Sequence, residues 1–206
     1  MNIMKHNTLS DWVKFTLLAA IMAIMAFVFP VLGYIPLGFT KATIMHIPVI
    51  IGSIMLGPVK GGLLGLFFGI TSLINNTVNP AVTSFAFSPF IAIGGAHGNA
   101  LSLVVCFVPR ILVGIVPYFV KKAFGEKHRT LGFTLGGLAG SLTNTVLVMN
   151  FIYLFFGAQY AEASQKAVET IYLVILSVIC INGIPEAIVA SLLTAAICKA
   201  LSIKRR

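Results

Sequence analysis

Two charged side chains stand where charge is most costly. Arg110 lies inside the run LSLVVCFVPRILVGIVPYFV, and Glu186 inside LVILSVICINGIPEAIVASLLTAAIC. At about 1.5 Å per helical residue, Arg110 is roughly 16 Å from Lys121 and Glu186 roughly 20 Å from Lys199, near the middle of a ~30 Å hydrocarbon layer. Ionisable groups at that depth point to function by default. Two chemistries are open. A guanidinium takes a carboxylate through two parallel N–H···O bonds, so Arg110 suits an anionic solute; alternatively Arg110 and Glu186 neutralise each other as a structural ion pair. Asn182 and Glu186 are four residues apart, hence on one helix face, with Pro185 between them. Pro185 removes a backbone hydrogen bond and frees the carbonyl of Ile181. The segment reads as a broken outer half-helix of the kind that builds solute sites in membranes. Asn144 and Asn150 fall about 22 and 31 Å from Arg129 by the same count, and Asn75, Asn76 and Asn79 end an earlier apolar run. Together these amides fit a ligand rich in hydroxyl, amide and carbonyl groups better than a bare ion. Each asparagine taken singly also fits an interhelical hydrogen bond or a helix cap.

Other chemistries are missing their residues. The glycine-rich stretch GGLLGLFFGIT lacks the lysine of a phosphate-binding loop, and neither GxSxG nor HExxH occurs. The chain is therefore not expected to be an enzyme or to hydrolyse ATP. His46 and His97 are isolated, and Cys106, Cys180 and Cys198 lie in apolar runs without ligand spacing, so no metal and no cofactor are expected.

The elements that must hold these residues follow from composition. Of 206 residues 58% are hydrophobic and 9% charged, and the mean hydropathy is +1.02; soluble domains carry about a quarter charged residues. Uncharged apolar runs at about 15–32, 43–57, 61–75, 100–120, 131–156 and 171–198 predict an all-α integral membrane protein, one six-helix transmembrane domain over 1–206. The second and third runs are short for a bilayer. With both termini on one side, eleven of the fourteen Lys and Arg residues share that side, which makes it cytoplasmic. The net charge of +9 is thus an orientation signal and not a nucleic-acid footprint. Two outer loops mix aromatic and hydroxyl residues: GYIPLGFTKAT at 33–43 and the uncharged 75–99, with Phe85, Phe87 and Phe90. Both are suited to lid an outward-facing pocket. Gly61, Gly65 and Gly69, then Gly132, Gly136 and Gly140, recur every fourth residue and predict close helix packing. Ala19, Ala23 and Ala26 form a similar ridge that faces either a sibling helix or a separate membrane subunit.

The stretch IPVIIGSIMLGPVKGGLLGLFFGITS (47–72), with PRILVG (109–114), NGIPEAIVASLL (182–193) and the Ala19/Ala23 pair, resembles the S-components of energy-coupling factor (ECF) vitamin transporters. The likeness covers nearly the whole chain and is strongest to pantothenate-type members, through 42–80 and TSFAFSPF (83–90). It implies a substrate-binding subunit in the plasma membrane of a prokaryote. That subunit takes a water-soluble vitamin from outside and docks, through Ala19 and Ala23, on a transmembrane coupling subunit carried by two cytosolic ATPases. Pantothenate has one carboxylate, one amide and two hydroxyls, an inventory matched by Arg110 and the asparagines, with Glu186 either neutralising Arg110 or accepting hydroxyl protons. The alternatives are another vitamin (cobalamin, folate or riboflavin) or an autonomous secondary transporter or channel.

Overall fold

A computed structural model describes residues 8–28, 34–37, 40–93 and 95–203. Helix α1 (Thr8–Ala23) runs on into a π-helical turn, Ile24–Val28. It begins well before the expected 15, because its charges are neutralised: buried Asp11 lies 3.5 Å from Lys60 and 3.8 Å from Lys14. Residues 29–32 of that expected span lie outside the described residues. The two loops expected to face outside keep the labels first and second outer segment; the first forms an antiparallel hairpin, β1 (Tyr34–Leu37) and β2 (Thr40–Thr43), with Tyr34 opposite Thr43.

Helix α2 (His46–Leu56) has eleven residues, nearly all buried, and at about 16 Å is shorter than a hydrocarbon layer. It ends at Gly57, whose φ of +93° favours a residue without Cβ, and Pro58 then opens α3 (Pro58–Val78). Helix α3 has 21 residues, which corrects the expected short span at 61–75. Lys60 is part of the helix because its ammonium group turns to Asp11 and to the Trp12 ring, 5.3 Å away. Asn75 and Asn76 extend the other end, Asn76 Nδ2 bonding back to the Ser72 carbonyl at 2.9 Å.

The second outer segment holds a short 3₁₀ turn (Ser84–Ala86) and a hairpin of β3 (Ala92–Ile93) with β4 (Ala96–His97). Asn99 and Ser102 then form a capping box that starts α4 (Ala100–Val113), followed after a turn by α5 (Val116–Phe124). Helix α6 (Arg129–Ala163) is 35 residues long, with non-helical dihedrals at Phe156. Helix α7 (Ile171–Val178) passes through a π-turn, Ile179–Gly183, into α8 (Ile184–Ile203). The expected break at Pro185 is therefore corrected: the backbone widens into a π-turn just before Pro185, and the helix continues. Among the described residues five helices are long and apolar enough to cross a membrane, and α2 is a shorter apolar helix.

The glycines let these helices meet at backbone distance. A Cβ on Gly61 would strike the Gly114 carbonyl oxygen, and one on Gly65 the carbonyl oxygen of Arg110, so α3 and α4 touch main chain to main chain at the level of the arginine. Helix α6 packs against α2, α4, α5 and α8. Gly136 and Gly140 admit Ile54, Ile50 and Pro117, and Gly137 faces the Ala190 carbonyl. A second apolar cluster, around Phe85, Phe156, Tyr160, Ile171 and Ile175, closes the end of the bundle beneath the second outer segment.

Candidate binding cavity

Arg110 follows Pro109 within α4. Proline has no N–H, so the carbonyl four residues back, that of Val105, has no helical donor. Arg110 Nη1 supplies one at 2.8 Å. The side chain therefore runs back along its own helix, and its guanidinium carbon comes to rest 5.5 Å from the Phe68 ring of α3 and 5.0 Å from the Phe87 ring of the second outer segment. Arg110 is 5% exposed. Two aromatic faces and one carbonyl help fix the fork's place in the interior.

This guanidinium lies on the wall of a cavity of about 80 Å³. Helix α3 gives the wall Ser72 and Asn76, one turn apart. Helix α6 gives the face Asn144, Thr145, Val148, Met149 and Ile152, and α7–α8 give Val178, Asn182 and Glu186. The outer segments contribute Thr43, Thr83 and Phe87, and Tyr160 completes the lining. The α6 face is graded: amide and hydroxyl toward the bundle centre, aliphatic groups farther along. Asn144 is 6% exposed, and its Oδ1 has no hydrogen-bond partner among the described residues. Such a buried acceptor calls for a donor from whatever fills the cavity.

Glu186 has its own neighbours. Its Oε1 accepts the Thr43 N–H at 3.0 Å, and the Thr145 side chain faces the same carboxylate. The carboxylate is thus bonded to the first outer hairpin and to α6. The second outer segment is tied as firmly: Ser84 Oγ donates to Asn76 Oδ1 at 2.8 Å, Ser102 Oγ to the Phe85 carbonyl at 2.7 Å, and the Thr77 and Ser88 hydroxyls lie 2.8 Å apart. Both outer loops therefore reach the cavity rim through specific polar bonds.

Of the residues expected from the sequence, Arg110, Asn76, Asn144, Asn182 and Glu186 come together around one cavity. Three do not line it. Asn75 is buried, with its carbonyl accepting the Asn79 N–H; Asn79 closes α3; and Asn150 Nδ2 bonds the Val146 carbonyl one turn below. The described residues include no group of three or more metal-ligating side chains. Sequence reasoning missed Ser72, which a four-residue step from Asn76 places on its face, and Thr145, Val148, Met149 and Ile152, which share the helical face of Asn144. It also missed Thr43, Thr83 and Tyr160, which no local pattern marks. Of the alanine ridge, Ala26 is buried and Ala19 packs against the core, Ala23 is half-buried, and the exposed face of α1 presents Trp12, Val13, Leu17 and Ile21, continued by Ile24 of the π-turn.

The family model described as ECF transporter, substrate-specific component, matches residues 11–198. This chain belongs to that family. It is a multi-pass membrane protein whose family role is substrate recognition for a transporter. It is 41% identical to the pantothenic acid transporter PanT of Lactococcus lactis subsp. cremoris over 204 residues, 98% of each chain. It is also 31% identical to the pantothenate transporter PanT of Leuconostoc mesenteroides subsp. mesenteroides, over 94% of this chain and 93% of the relative. For an ECF substrate-specific component, a buried cavity roofed by two outer segments and lined by one arginine and several amides is the natural candidate for the substrate site.

Proposed function

We propose that this chain captures pantothenate from outside the cell and hands it to an ECF coupling module driven by partner ATPases. The observation that carries this reading is the make-up of the cavity: one fixed, buried guanidinium, a set of amides and hydroxyls, and an aliphatic patch of Val148, Met149 and Ile152. Pantothenate offers a carboxylate to the first, an amide and two hydroxyls to the second, and a geminal dimethyl group to the third. Arg110 takes the carboxylate; Asn144, Asn182, Asn76 and Glu186 serve the amide and the hydroxyls. The near full-length likeness to two proteins named PanT supports the same substrate.

The reading includes six spans in one transmembrane domain, with both termini on the cytoplasmic side of a prokaryotic plasma membrane and the hairpin and second loop facing out. It also places a contact with the coupling subunit along Ala19 and Ala23. The test is binding: the purified chain is titrated with a panel of water-soluble vitamins by calorimetry and native mass spectrometry. Pantothenate binding at micromolar ligand or below, with the other vitamins silent, is the expected result. Binding of a different vitamin overturns the substrate, and binding of none overturns the capture role.

A further inference from the structure

The two charges of the cavity, buried Arg110 and half-buried Glu186, are set in different surroundings, and this has consequences for what it admits. Arg110 is grouped with Val105, Phe68 and Phe87, on the side of α3 and α4. Glu186 is grouped with Thr43 and Thr145, on the side of α8 and the first hairpin. Helix α6 packs against both α4 and α8, and its face of Asn144 to Ile152 lines the same cavity as the two charges. The cavity thus has a cationic pole and an acidic pole. One carboxylate oxygen of Glu186 is already occupied by the Thr43 N–H, which fixes the group's direction; the carboxylate still has capacity to accept O–H donors.

Resting on the pantothenate reading, we infer that Glu186 is a specificity residue that restricts the site to ligands anionic at one end and hydroxylic at the other. A ligand with a carboxylate at one end and a primary hydroxyl at the other fits in one direction only: carboxylate on Arg110, hydroxyl donating to Glu186. A ligand anionic at both ends has no such direction. Whichever end takes Arg110, the other meets the Glu186 carboxylate in a desolvated site, where like charges repel strongly. The excluded class is pantothenate carrying a phosphate on its primary hydroxyl, together with dicarboxylates of similar length. The site therefore takes the unphosphorylated acid.

The experiment compares three ligands on the purified full chain by calorimetry at about pH 8, where a phosphate monoester is close to doubly charged: pantothenate, its primary-hydroxyl phosphate, and its neutral methyl ether at the same oxygen. Pantothenate is expected to bind at least a hundredfold tighter than the phosphate, with the ether in between. Glu186→Gln keeps an oxygen for the Thr43 N–H but removes the charge; it is expected to weaken pantothenate and strengthen the phosphate, bringing their ratio below ten. If the wild type binds the phosphate as well as pantothenate, if the ether is rejected as fully as the phosphate, or if Glu186→Gln leaves the ratio unchanged, the inference fails. The ether comparison needs no variant, so it decides the matter even if Glu186→Gln does not fold. A wild type that binds no pantothenate overturns the substrate assignment itself, a result distinct from these.

Discussion

Replacing Arg110 by Met tests the site most directly, because the structure says what else that arginine does and how to subtract it. Truncating one partner of a buried, hydrogen-bonded charge pair costs about 2–5 kcal/mol, or about 30- to 4,000-fold in Kd. Arg110→Met is expected to weaken pantothenate by that factor. The substitution also strips the Val105 carbonyl of its only named donor and removes two cation–ring contacts, so it lowers stability as well; an orphaned buried carbonyl alone costs about 1–3 kcal/mol. Two controls separate these effects. The first is a cycle against a pantothenate analogue whose carboxylate is reduced to an alcohol. Wild type loses affinity for the analogue while Arg110→Met binds both ligands equally, giving a coupling energy of about 2–5 kcal/mol. The second is Pro109→Ala combined with Arg110→Met, which restores a backbone N–H for Val105. It is expected to recover about 1 kcal/mol of thermal stability and none of the coupling. Isothermal calorimetry and detergent-solubilised melting read both. A coupling energy below about 0.5 kcal/mol, the scatter of independent sites, refutes the assignment of Arg110 to the carboxylate.

Three other outcomes follow from the same geometry. Gly65→Leu forces a side chain into the Arg110 carbonyl and should lower stability by about 1–3 kcal/mol or more, with pantothenate affinity falling in the protein that still folds; an unchanged melting temperature would mean α3 and α4 do not meet there. Asn150→Ala loses only a bond to the Val146 carbonyl and should leave the pantothenate Kd within about twofold, whereas a large loss by calorimetry would place Asn150 in the site after all. Ala23→Glu, in the complete transporter reconstituted in liposomes, should abolish pantothenate uptake while the isolated chain still binds; uptake at the wild-type rate would remove this face of α1 from the coupling contact.

Pattern made some of this architecture legible and packing decided the rest. The apolar runs located the helices because hydropathy is a sum over neighbours in sequence. Their ends were less legible, since Lys60 and Asp11 look like boundaries until each is seen to neutralise the other. Pro185 announced an irregularity, but that the helix widens into a π-turn and continues there, and does not break, became visible only in the folded chain. Pro109 and Arg110 were adjacent in plain sight; that the second repairs the hydrogen bond the first removes became visible only with the side chain in place.

By itself the sequence determined a membrane protein with two charges in its interior, glycines spaced for close helix contact, and a kinship with vitamin-capturing subunits. Tertiary structure decided which polar residues share one cavity. Helical periodicity fixes where Asn144 and Thr145 lie relative to Val148 and Ile152, but the rotation of α6 against α4 and α8 is set by contacts distant in sequence, among them Gly137 on the Ala190 carbonyl. The same long-range packing sends Asn150 and Asn79 away from the cavity, and brings Thr43, 143 residues distant, onto Glu186.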